Sequence, residues 1–313
     1  MATTTEKITF ESTLKSSDTE EVIDIYFYRP IGFRIALLCA KLGITPNAVT
    51  WASIFIGISS GLFFFYQNIY LNILGIFMLM LANALDSADG QLARMTNNKS
   101  LFGRLLDGLA GAFWFVSIHI GVSWRLMEQG WPWWIWLLGA ASLFAHMIQA
   151  QQGDYYRNVY LYFIKGKAGS EQDNSEDLKA KVDGLSWSKD FGQKAMYTFY
   201  LGYTKRQEQL APSLFRFLKQ VRLRYKDQLP QWLVTEFSAM NKPLMKFTNI
   251  VQFNTRAIAL FIAVLTDKIW LYFIFDLLVL NGVLIYMIVK QEKISKRFYN
   301  KLMSVPESHQ QPA

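Results

Sequence analysis

Between Leu85 and Phe113 the chain reads LDSADGQLARMTNNKSLFGRLLDGLAGAF. Asp86, Asp89, Gly90 and Ala93 stand at i, i+3, i+4 and i+7. A helix places all four on one face. Gly103, Asp107 and Gly111 are spaced by four and make a second such face. Two faces therefore carry three carboxylates flanked by very small residues. Carboxylate oxygens suit a hard divalent cation, Mg²⁺ or Mn²⁺, which also binds phosphates. Glycine and alanine beside the acids let a bulky ligand approach the backbone. Arg94, one turn beyond Gly90, offers charge-assisted hydrogen bonds to a phosphate. Each residue taken singly also fits a charged membrane boundary with small residues for helix packing. Their joint spacing favours a site, because acids at the ends of apolar helices are costly unless paired, hydrated or metal-bound.

The elements that must hold these residues are apolar. Hydrophobic residues make up 52% of the 313 and charged residues 18%, and the apolar residues come in blocks near the length of about 20 that crosses a bilayer. The pattern predicts an all-α, polytopic membrane protein with six transmembrane helices: 48–66, 69–85, 105–124, 131–150, 250–266 and 269–289. Residues 26–44, punctuated by Arg29, Arg34 and Lys41, suit an N-terminal helix lying in the interface. Residues 1–25 are expected to be a mobile segment without a secretory leader. Residues 26–150 then form one block with spans one to four. Residues 151–249 form a cytoplasmic helical insertion, 250–290 carry spans five and six, and 291–313 are a cytoplasmic tail. Within the insertion, 166–192 reads as a flexible linker. Residues 210–225 read as a basic amphipathic helix, apolar at Leu214, Phe215, Leu218, Val221 and Tyr225. That helix lies on an anionic leaflet or packs on the protein itself; periodicity does not separate the two.

Lys and Arg cluster on one side of the spans. The opposite side carries only Arg125 and Lys268 in its loops. The positive-inside rule then puts both termini and the acidic faces in the cytoplasm, at the inner (plasma) membrane. The same asymmetry accounts for the net charge of +8 without nucleic acid. One cysteine, Cys39, excludes an internal disulfide, and with three histidines it makes no conventional zinc site.

The stretch resembles the CDP-alcohol phosphotransferases, whose motif reads D-x2-D-G-x2-A-R-x8-9-G-x3-D-x3-D. Asp86, Asp89, Gly90, Ala93, Arg94, Gly103 and Asp107 match it in order, and Ile44 to Thr50 is similar to the TPN-x-x-T entry to that family's first span. The resemblance covers residues 26–150. It implies a CDP-linked donor, an alcohol or lipid acceptor, membrane lipids around the chain, and a homodimer. Asp86, Asp89 and Asp107 would bind the metal, and Gly90, Ala93, Arg94 and Gly103 the CDP moiety. The donor would be CDP-diacylglycerol or a small CDP-alcohol, with CMP released in phospholipid synthesis. The family's fourth Asp, its general base, falls at position 111, where this chain has Gly111. The motif therefore also fits a CDP-nucleotide-binding membrane protein impaired in catalysis.

A general base must reach the acceptor hydroxyl directly or through water. The candidates are His146 in the fourth span, Asp154 just past it, and a metal-bound water. His119 lies deeper. Arg256, in the fifth span, either contacts a phosphate or snorkels to the interface. Asp276, in the sixth, is expected roughly 10 Å away in depth, at about 1.5 Å per residue, and so is not expected to pair with it.

Overall fold

The computed structural model describes residues 18–98, 100–167, 170, 172–226 and 228–304. Most of the expected mobile N-terminal segment and the last nine residues of the tail lie outside these. Among the described residues there are helices and no strands. The helices are α1 Arg29–Lys41, α2 Pro46–Phe65, α3 Ile69–Met95, α4 Leu101–Glu128, α5 Ile135–Lys165, α6 Ser175–Asp183 and α7 Phe191–Leu210. They continue with α8 Pro212–Tyr225, α9 Gln231–Ile250, α10 Phe253–Leu265, α11 Trp270–Ile274 and α12 Asn281–Ser304. Single π-helical segments, Asp24–Tyr28 and Phe275–Leu280, precede α1 and join α11 to α12.

Five stretches among the described residues are long and apolar enough to cross a bilayer: Pro46–Phe65, Ile69–Met95, Phe102–Glu128, Gln231–Leu265 and Trp270–Ser304. The chain is thus an all-α, multi-pass membrane protein. The segment expected as a fourth span falls in α5, whose second half is too polar to meet that criterion. The second and third spans extend past their apolar blocks, because backbone hydrogen bonding continues after the composition turns polar. Arg125, read as a loop charge, lies inside α4 and is buried.

The chain divides into two compact units. One comprises residues up to Met147 with Arg256–Leu277; the other comprises Ile148–Thr255 and Leu278 onward. In the first unit α2 is the spine, packed along both α3 and α4. Glycine makes this possible. A Cβ on Gly57 would stand 2.1 Å from the Trp114 ring, and one on Gly121 would stand 2.3 Å from the Gly61 carbonyl. Helices meeting through small residues gain dispersion contact and close backbone approach where lipid offers no hydrophobic drive. Ser117 adds a hydrogen bond to the Ile58 carbonyl at 2.7 Å.

The second unit has an aromatic core. Phe163 of α5 stacks on Phe237 of α9 at 4.0 Å and on Phe217 of α8 at 6.0 Å. Leu214, Phe217, Leu218, Val221 and Tyr225 of α8 are all buried in this core. The amphipathic helix therefore packs on the protein's own helices, with Phe217 inward in place of Phe215. The expected flexible linker also contains a helix, α6. Asn174 caps it, accepting from the Asp177 amide at 2.9 Å, and Leu178 is buried beneath it. Its polar composition hides one buried leucine and a good cap.

Candidate functional site

The site begins with a turn. α3 ends at Met95 and α4 starts at Leu101, so five residues reverse the chain. Thr96 returns a hydrogen bond to the Leu92 carbonyl at 2.8 Å, and Asn97 takes the left-handed conformation, φ 50°, that asparagine tolerates. Ser100 caps α4, accepting from the Gly103 amide at 2.9 Å. Asp89 and Asp107 each lie nine residues from Asn98 (98 − 89 and 107 − 98). Two antiparallel helices joined there carry them at matching heights.

The result is the cluster that the spacing predicts. Carboxylate oxygens of Asp86, Asp89 and Asp107 lie within 4.8 Å of one another. Asp89 is buried, Asp86 half-buried and Asp107 exposed. α3 and α4 touch each other little and both lean on α2, so the acids face one another across a gap floored by α2. Thr45 caps α2, accepting from the Ala48 amide at 3.3 Å, and Pro46 fills its first turn. This fixes Asn47, whose Oδ1 would stand 2.7 Å from a Cβ on Gly103. A side chain there would push aside the tips of Asn47 and Ser100.

The residues fit a divalent cation. Ligands on opposite sides of Mg²⁺, at about 2.0–2.1 Å each, stand about 4.0–4.2 Å apart, a spacing these side chains reach with small rotations. Asp89 Oδ2 is buried with no hydrogen-bond partner, which is costly for a carboxylate oxygen unless something else satisfies it. Like charges this close also repel. Beside them the Arg94 guanidinium folds back over Gly90, its nitrogens 3.6 and 3.7 Å from where a Cβ would be. A phosphate meeting the Asp86–Asp89 face meets Arg94 with it.

The base candidates fare differently. His146 is buried, and its ring packs on Phe115, centroids 4.2 Å apart. Phe115 is eight residues from Asp107, about 12 Å of helical rise, so His146 belongs to a deeper layer and not beside the acids. Asp154 lies in the second unit, ion-paired with Arg157 at 3.3 Å and accepting from Gln252 at 3.2 Å. Gly111 borders open space: a Cβ there meets nothing within 4 Å.

Arg256 and Asp276 do pair, against expectation, and both are fully buried. The turn between α10 and α11 centres on Asp267. Arg256 lies eleven residues before it and Asp276 nine after, which differ by about 3 Å in depth. Arg256, expected either to contact a phosphate or to snorkel, is held in this ion pair. The pair is extended by Ser142, which donates to Asp276 Oδ2 at 2.8 Å and contacts His119 Nε2 at 3.1 Å. Residue pattern alone misses Ser142, since hydroxyls in apolar helices leave no periodic signal. It also misses Gln91, fully buried, which donates to the Arg29 carbonyl at 3.1 Å and ties α1 to α3.

Comparison with known proteins points the same way. Residues 43–165 match the model of the CDP-alcohol phosphatidyltransferase family. Archaetidylinositol phosphate synthase of Pyrococcus horikoshii is 37% identical over 90 residues, 29% of this chain and 46% of that protein. CDP-diacylglycerol–serine O-phosphatidyltransferase of Helicobacter pylori is 37% identical over 70 residues, 22% of this chain and 28% of that protein. The matched stretch spans less than half of either relative.

Proposed function

Taking as premise that residues 43–165 are a CDP-alcohol phosphatidyltransferase domain, we propose that this chain is a membrane transferase of phospholipid synthesis. It moves a substituted phosphate group from a CDP-activated donor to an alcohol. The observation that carries this reading is the close approach of Asp86, Asp89 and Asp107 on the motif that also supplies Arg94. The names of the relatives favour CDP-diacylglycerol as donor. The acceptor hydroxyl attacks the β-phosphorus, the bond from that phosphorus to the CMP oxygen breaks, and the acceptor proton leaves to a base.

Asp86, Asp89 and Asp107 would hold Mg²⁺, or Mn²⁺. When bound, the cation offsets the pyrophosphate charge and stabilises CMP as it departs. Arg94 binds a donor phosphate, and Gly90, Ala93 and Gly103 leave room for the nucleotide against the helix backbones. Gly111 supports a second reading, a protein that binds CDP-linked ligands without turnover. Incubation with labelled CDP-diacylglycerol, CDP-alcohols and a lipid extract separates the two. A transferase releases CMP and labels a lipid. Metal-dependent donor binding with no CMP release from any donor sinks the transferase reading.

The Lys/Arg asymmetry supports a cytoplasmic site and cytoplasmic termini, and burial of Arg125 inside α4 removes one of the two charges that oppose it. A single cysteine placed at Asn68 or at Gly130 should react with an impermeant thiol reagent in intact cells. Labelling only after lysis inverts the topology.

A further inference from the structure

In the second unit, α9 and α12 line a groove of about 410 Å³. Its floor is apolar. Met240, Pro243, Leu244 and Phe247 come from α9, and Tyr286 of α12 stands against Phe247 with ring centroids 4.7 Å apart. Lys290, Lys293 and Arg297 line the same groove from α12. At i, i+3 and i+7 they share one helix face, and all three are exposed. No acidic residue is among the described residues that line it. The nearby carboxylates on these two helices are engaged elsewhere. Glu292 accepts from the Ser213 and Leu214 amides at 2.9 and 3.3 Å, and Glu236 accepts from Lys301 at 2.6 Å. Pro243, inside α9, has no N–H to offer the Ala239 carbonyl one turn back, and Ala239 also lines the groove. The composition of α12 turns from apolar to basic at Lys290, within the stretch Trp270–Ser304 that is long and apolar enough to span a bilayer. Headgroups meet hydrocarbon at such a transition.

We propose that this groove binds an anionic phospholipid. The lipid phosphate sits among Lys290, Lys293 and Arg297. A headgroup or glycerol hydroxyl reaches the Ala239 carbonyl, and an acyl chain lies along Phe247 and Tyr286. Three cations facing no acid require net negative charge, which a zwitterionic lipid lacks. The apolar floor requires a tail, which free phosphate lacks. The inference does not depend on the acidic site or on any turnover there.

The test is titration of the full chain in neutral detergent with fluorescent phosphatidylglycerol and phosphatidylcholine. Phosphatidylglycerol should bind in preference. Lys293→Gln should weaken it about fivefold, and the triple change Lys290→Gln, Lys293→Gln, Arg297→Gln about 100-fold, at about one increment per cation. The matched triple Lys189→Gln, Lys205→Gln, Arg206→Gln removes equal charge from exposed positions of the same unit and should bind like the native chain. Helical circular dichroism checks that each variant is folded. Equal weakening in both triples reduces the effect to net charge and overturns the site. So does phosphatidylcholine binding as tightly. Displacement of the lipid by soluble glycerol phosphate at similar concentration shows a phosphate site with no lipid specificity and overturns the proposal as well.

Discussion

Asp89→Asn removes metal-dependent binding of CDP-linked donors. The substitution keeps the shape of a buried side chain, which is 3% exposed, and deletes its charge. Even two unit charges about 4 Å apart are worth roughly 4 kcal/mol at an effective dielectric near 20, so losing a direct ligand of a divalent ion lowers affinity by at least about 10³-fold. Calorimetric titration of a CDP ligand with and without Mg²⁺ reads this directly. The same titration without metal should barely distinguish mutant from native. An unchanged affinity in the presence of Mg²⁺ would mean that these acids serve packing and not a cation.

Gly111→Asp raises CMP release. The position is one turn from Asp107 on α4, and an added Cβ meets nothing within 4 Å. The substitution therefore adds a carboxylate without overpacking a neighbour. A positioned general base is typically worth about 10²- to 10⁴-fold in rate, large enough to see in a crude membrane assay. A flat response has a defined meaning when paired with Asp154→Ala. If that variant loses turnover, Asp154 already serves the acceptor. If neither change moves CMP release, neither position serves the acceptor; if no variant releases CMP from any donor, the chain binds donor without transferring it. His146→Ala should leave the base function intact, since that ring packs on Phe115, a layer removed from Asp107.

The acids were legible in the sequence because their geometry is local. Helical spacing fixes Asp86 against Asp89, and one five-residue turn fixes both against Asp107, so no distant contact has to be known. Asp276 was misread for the complementary reason. Its partner Arg256 lies across a second turn, and placing the helix ends a few residues off moved its depth by several ångströms. The inward face of α8 was legible as a stripe but not as a destination, because lipid and a protein core reward the same leucines. Ser142, Gln91 and Arg125 were silent. Each contributes through hydrogen-bonded partners far away in the chain, and no spacing rule encodes such partners. The general base stays unread where the chain departs from the motif, at a glycine that offers space and no chemistry.

Arg125 has a consequence for how the acidic end behaves. Its guanidinium donates to the Phe64 and Tyr66 carbonyls at the end of α2, to Asn72 of α3, and to Asp267 at 2.6 Å. One buried charge thus rivets α2, α3 and α4 and the turn before α11 at a single end. At the opposite end the five-residue turn joins α3 to α4, and Asp86, Asp89 and Asp107 gather beside it. The pair is thus a closed frame, held at one end by Arg125 and at the other by its own turn, with α2 packed along both sides. The acids therefore sit on a fixed frame, and a cation bound among them would offset their mutual repulsion without having to gather them first.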